Sequence, residues 1–148
     1  MLMIHIVYPE HDFRLKKEAG KDLIFDELRR LWVRLTPEEW VRQHFLQYLL
    51  QGMKYPASLI AVEKEIQLGE LKKRFDILVY DTHHQPWMIV ECKASEVVLE
   101  EGVLQQALRY SIVVPAPYIV ITNGQSSIGW NKSSGQLVEQ QALPEWGS

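Results

Sequence analysis

The chain has 148 residues, 47% hydrophobic and 24% charged, which suits one domain, 1–148, built on a single apolar core. A formal net charge of −3 excludes a uniformly basic, nucleic-acid-coating surface, and a single cysteine excludes an internal disulfide and any cysteine-rich zinc site. No run approaches the roughly 18 consecutive apolar residues of a membrane span, and the start MLMIHIVYPEHDFRLKK lacks the basic-then-apolar order of a secretory signal, so a cytoplasmic protein without membrane partners is expected.

Residues 1–35 read as a framing segment: a short strand in MLMIHIVY, a polar turn, then a mixed helix or loop through LIFDELRRLWVRL. The core is expected over 36–124. It opens with TPEEWVRQHFLQYLLQGM, where Thr36 is placed as an N-cap, Pro37 occupies the first helical position and two acids fill the first turn. Val41, Phe45 and Leu49 recur at helical spacing, with Trp40, Leu46 and Leu50 beside them. The segments LIAVEKEI, KRFDILVYD and PWMIVECKA read as three strands, the last two divided by the turn-like THHQ. SEVVLEEGVLQQALRYSIVV is a second helical stretch, YIVITNG a fourth strand, and 125–148 a C-terminal hairpin about KSSG, or a tail. Helix, three strands, helix and strand make an α/β or α+β fold, a central sheet with helices packed on it.

The strand MIVECKA carries the first chemical signal. Strand side chains alternate with period two, so Glu91 and Lys93 share a face while Cys92 points away as ordinary core. A hairpin centred on His83 and His84 sets Asp76 directly opposite Glu91. Facing carboxylates are destabilising unless a proton, a base or a cation compensates. Lys93 supplies one positive charge, and a hard divalent cation such as Mg²⁺ fits the surplus, because it is commonly held by one or two carboxylates plus water and phosphate oxygens. The backbone carbonyl of Cys92 offers a further oxygen ligand.

Taken together, RFDILVYD followed by MIVECKA resembles the Asp…(Asp/Glu)-x-Lys site of the PD-(D/E)XK nuclease superfamily. More narrowly, TPEEWVRQHFLQYLL, then YP, KKRFDILVYD and ECKA resemble the N-terminal nuclease domain of type I restriction enzyme restriction subunits. The resemblance covers roughly residues 36–124. It implies a restriction-endonuclease-like core, a central mixed β-sheet flanked by helices, and a Mg²⁺-dependent nuclease acting on DNA, with Mn²⁺ as a substitute and endonuclease ranked ahead of exonuclease. Residue by residue, the metal-binding aspartate matches Asp76, the second acid Glu91 and the lysine Lys93. The acid on the first helix falls at Glu38 or Glu39; the stripe shared with Val41, Phe45 and Leu49 favours Glu38 facing the sheet. The Gln-x-x-x-Tyr pair after the lysine strand matches Gln106 and Tyr110, which at i and i+4 share a helix face toward nucleic acid. Lys72, Lys73 and Arg74 approach Asp76 as phosphate contacts. Phe75 stands where the superfamily pattern has proline. No Gly-x-x-x-x-Gly-Lys-(Ser/Thr) phosphate loop occurs in the 148 residues, so the chain acts on DNA alone, acts with restriction-system or motor subunits as partners, or has lost its original role, and a homodimer suits cleavage of two strands. The alternatives are a non-catalytic nucleic-acid-binding or assembly module retaining the fold, and a structural protein whose facing acids form an ion-paired patch.

Overall fold

The protein is described by a computed structural model over residues 1–147, with the side chain of Tyr110 outside the described part. The framing segment is mostly sheet. Strands β1 (Leu15–Glu18), β2 (Lys21–Asp26) and β3 (Leu31–Arg34) form an antiparallel three-stranded sheet. LIFDELRRLWVRL is therefore strand, turn and strand, not a helix. The Asp26 carboxylate accepts the Arg29 N–H at 2.7 Å, and Arg30 sits at φ 57°, so a side-chain-closed turn reverses the chain where the apolar spacing suggested continuation. MLMIHIVY forms no regular strand. Its Ile4 N–H donates to the Ser127 carbonyl at 2.8 Å, and Ile4 lies across Gly129, where an added Cβ would meet Ile4 Cδ1 at 2.8 Å.

Helix α1 (Pro37–Gln47) starts as its sequence predicts: Thr36 Oγ1 accepts the Glu39 N–H at 3.1 Å. It runs into a single π-helical turn over Tyr48–Gly52. A short 3₁₀ turn at Ala57–Leu59 leads into β4 (Ile60–Leu68), β5 (Leu71–Tyr80) and β6 (Pro86–Cys92). Helix α2 (Glu101–Ser111) then crosses over to β7 (Tyr118–Thr122), which pairs parallel to β6, and β8 (Ser127–Ser133) and β9 (Gln136–Gln140) close a six-stranded mixed sheet in the order β4-β5-β6-β7-β8-β9. The second helix begins later than its apolar run: Asn123 Nδ2 donates to the Val97 carbonyl at 2.7 Å and holds 95–100 as a loop. At its other end the Lys132 ammonium donates to the carbonyls of Ser111, Ile112 and Val114, satisfying the groups a helix C-terminus leaves open. Ser134 and Gly135, both at positive φ, make the tight β8–β9 turn.

The sheet is covered on both faces. Val41, Phe45 and Leu46 of α1 and Leu49 of the π-helical turn pack on Ile77, Val79, Met88, Val90, Cys92 and Val120. Leu104 of α2 packs with Ile119, Ile121, Ile128 and Trp130, while Phe75, Leu78 and Ile89 meet Val114 and Ala116. Trp87 is buried between Tyr55 and Tyr118, as a sheet-cover aromatic should be. Trp40, beside the apolar stripe of α1, is not buried in the same way. It remains 38% exposed, packed against Phe13 and His44.

Candidate active site

The β5–β6 pairing sets up the site. Ile77 pairs with Val90 and Leu78 with Ile89, so the next step along this register puts Asp76 across from Glu91. The turn is not the symmetric one centred on His83 and His84. A bulge at Val79/Tyr80 shifts the register, and Asp81 Oδ1 accepts the N–H groups of His83 and Gln85. Both histidines are exposed turn residues.

Asp76 sits where strand alternation is disturbed. Phe75 packs with Leu78, yet Ile77 and Val79 pack toward α1, so the two-residue period breaks at Asp76. Against it on β4, Glu63 adopts φ 52°, a left-handed conformation that non-glycine residues rarely hold without a surrounding reason. The reason is a carboxylate and guanidinium cluster. Asp76 Oδ2 accepts the Cys92 N–H at 2.7 Å, and Arg42 Nη1 lies 3.3 Å from both Asp76 Oδ1 and Glu63 Oε1. Arg42 also grips Glu39 as a fork, Nε to Oε2 at 2.9 Å and Nη2 to Oε1 at 2.8 Å. Gln43 Nε2 bridges Glu39 and Asp26, and Arg29 binds Asp26, Glu39 and Glu63.

The acid that α1 buries is thus Glu39, 4% exposed; Glu38 is exposed at the rim, although its charge still acts on Asp76. The stripe with Val41 and Phe45 favoured Glu38. It failed because α1 is covered from two sides, by the six-stranded sheet and by the small sheet, whose Asp26 and Arg29 receive the Glu39–Gln43 flank.

Glu91 is buried, and its Oε1 has no hydrogen-bond partner among the described residues. The Lys73 ammonium lies 3.8 Å from it, beyond hydrogen-bond length. Burial, then the neighbouring Asp76 charge, push the Glu91 carboxyl up to about 7, against the opposing pull of Lys73 and Lys93. Burial raises Asp76 too, while the Cys92 N–H and Arg42 hold it back. Burial also pushes the Cys92 thiol well above its usual range, in keeping with its place in the core.

Of the sequence candidates, Asp76, Glu91 and Lys73 come together, and the Lys93 charge acts on Glu91. Lys72 and Arg74 are exposed on β5 opposite Gln67 and Glu65, and Gln106 is exposed on α2. Tyr110 lies outside the described side chains. Sequence reading missed Arg42, Gln43, Asp26, Arg29 and Glu63. The i, i+3 and i, i+4 spacings of Arg42 and Gln43 from Glu39 were the available signal.

Among the described residues, no three His, Cys, Asp or Glu side chains converge as a metal cage. Two facing carboxylates with one unsatisfied buried oxygen still fit Mg²⁺, whose other positions are commonly filled by water, carbonyl and phosphate oxygens.

Residues 37–144 match the model of the type I restriction enzyme R protein N terminus. The chain belongs to that family. The chain also superposes on the crystal structure of a candidate nuclease belonging to DUF820 from Anabaena variabilis ATCC 29413, with a TM-score of 0.50, 9% identity, and coverage of 92% of this chain and 83% of the other. At that identity the likeness speaks for the fold, which is restriction-endonuclease-like. No curated protein matches the chain. The domain is nuclease-like in family and architecture, and no helix among the described residues is long and apolar enough to cross a membrane.

Proposed function

We propose that the domain hydrolyses DNA phosphodiester bonds with Mg²⁺, or Mn²⁺ in its place, held by Asp76, Glu91 and the Cys92 carbonyl. The observation that carries this reading is the buried Glu91 Oε1 across the strand pair from Asp76, without a hydrogen-bond partner among the described residues and with the charges of Lys73 and Lys93 acting on it. A bound divalent ion supplies a more acidic water and neutralises charge developing on the phosphate. Lys93 orients or deprotonates the attacking water, and Lys73 shields the negative charge gathered at the strand pair. Glu38 at the rim adds to the field at Asp76, while Glu39 acts through Arg42 as a positioning residue. The family name supports DNA as substrate and other restriction-system subunits as partners, with endonucleolytic cleavage ranked first.

The test is calorimetric titration of Mg²⁺ and Mn²⁺ into wild type, Asp76→Ala and Glu91→Ala, followed by plasmid cleavage with the same proteins and Lys93→Ala. Loss of binding in both acid variants and loss of cleavage in all three is expected; wild-type cleavage in all three would sink the proposal.

A second reading is favoured by Arg42. Its guanidinium already gives Asp76 an internal cation at 3.3 Å, an arrangement suited to a non-catalytic module that keeps the fold. That reading expects DNA binding that needs no metal and survives the three substitutions.

A further inference from the structure

We infer that the outer face of the small sheet is a DNA phosphate-binding surface that leads into the cleft beside the active site. This inference takes its partner from the nuclease reading, but it rests on a separate set of residues, lying before the family-matched segment that begins at residue 37.

The register of β1–β3 sorts the side chains. Lys16 pairs with Leu23 and Leu23 with Arg34, Phe25 pairs with Trp32, and Glu18 with Lys21; the Phe25 N–H donates to the Arg14 carbonyl, which extends the same alignment. One face therefore carries Arg14, Lys16, Lys21 and Arg34 with a single acid, Glu18. The opposite face carries the fully buried Ile24 and Asp26, and Asp26 accepts from Gln43 of α1. Four cations against one acid, on a chain whose net charge is −3, mark a local reversal of sign. All four cations are exposed.

The aromatic residues are fixed beneath them. The Arg14 guanidinium lies 4.6 Å over the Phe25 ring and 5.4 Å from the Trp32 ring, and the Lys16 ammonium lies 4.4 Å over Trp32. Rings capped in this way support charges rather than offer open faces for base stacking, so the expected contact is with backbone phosphate, independent of sequence. Arg34 connects the surface to the site. It lines a cleft of about 340 Å³ together with Arg29, Glu38, Glu39, Arg42 and Glu63, and of these Arg42 reaches Asp76 at 3.3 Å. A backbone lying across the small sheet would thus be led along Arg34 into the cleft.

The experiment is fluorescence anisotropy of a short labelled DNA duplex at several salt concentrations, without divalent metal, so that cleavage does not enter. Arg14→Gln/Lys16→Gln is expected to weaken binding about tenfold or more and to flatten the log K against log salt slope by roughly 2, about 0.9 for each lost phosphate contact. Glu18→Gln is expected to tighten binding, and Lys17→Gln, on the opposite face, to leave it unchanged; circular dichroism checks the fold of each. Unchanged affinity and slope in the double variant, no duplex binding by wild type, or tighter binding of an RNA duplex than of DNA would each overturn the inference. Wild type that binds through this face but fails to cleave with Mg²⁺ would overturn the catalytic proposal alone.

Discussion

Replacing Glu91 with glutamine separates the cost of the buried acid from its use. Burial and the facing Asp76 raise its carboxyl from an ordinary 4.5 to about 7, so between those values the folded protein binds more protons than the unfolded chain. Stability then falls as pH rises through this window, the sign expected for an acid whose folded pKa is raised. At about 1.36 kcal/mol per pH unit, the loss above pH 7 is of order 3 kcal/mol. The glutamine variant keeps the shape and carries no proton to lose. It should therefore be more stable than wild type by about 3 kcal/mol in metal-free buffer at alkaline pH, the gap closing below the ordinary carboxyl range. Urea unfolding across that pH range in a chelating buffer measures the difference. Adding Mg²⁺ should stabilise wild type but not the variant, and the wild-type affinity for Mg²⁺ should weaken as pH falls below about 7, because the metal competes with a proton. Parallel pH profiles for the two proteins would refute the premise that Glu91 is held against its own charge.

Arg42→Gln leaves Glu39 buried without its fork and should cost about 3–5 kcal/mol by urea unfolding, while Arg42→Lys, which keeps the charge but loses the bidentate geometry, should recover only part of that loss. Thr36→Ala removes the acceptor for the Glu39 N–H and should cost about 1 kcal/mol by the same measurement. Phe45→Ala empties a fully buried site between α1 and the sheet and should cost about 3–5 kcal/mol, seen as a lower thermal midpoint with the metal affinity of any folded fraction retained.

The parts of the fold that were legible in the sequence depend on short-range rules. Thr36, Pro37 and the stripe through Val41 and Phe45 state a helix start and its buried face within a few residues of one another, and both appear as read. The facing of Asp76 and Glu91 follows from the hairpin register, and it survives the wrong turn geometry because the bulge at Val79/Tyr80 compensates for the shorter loop. What escaped was the reach of residues 21–34. LIFDELRRLWVRL carries apolar residues at spacings that serve a helix as well as two strands, and only the Asp26 side chain, closing a turn on the Arg29 N–H, decides between them. Once that segment folds as sheet, Asp26 and Arg29 lie against α1 and make the Glu39 flank a second buried face, which no period computed from α1 alone contains. The same long-range packing explains why Arg42 was passed over: in sequence it is one basic residue on a polar stripe, and it becomes the link from Glu39 to Asp76 only when β5 is laid beside α1. The acids of the candidate site were therefore readable from one strand pair, whereas the cations that set their charge come from elements distant in sequence.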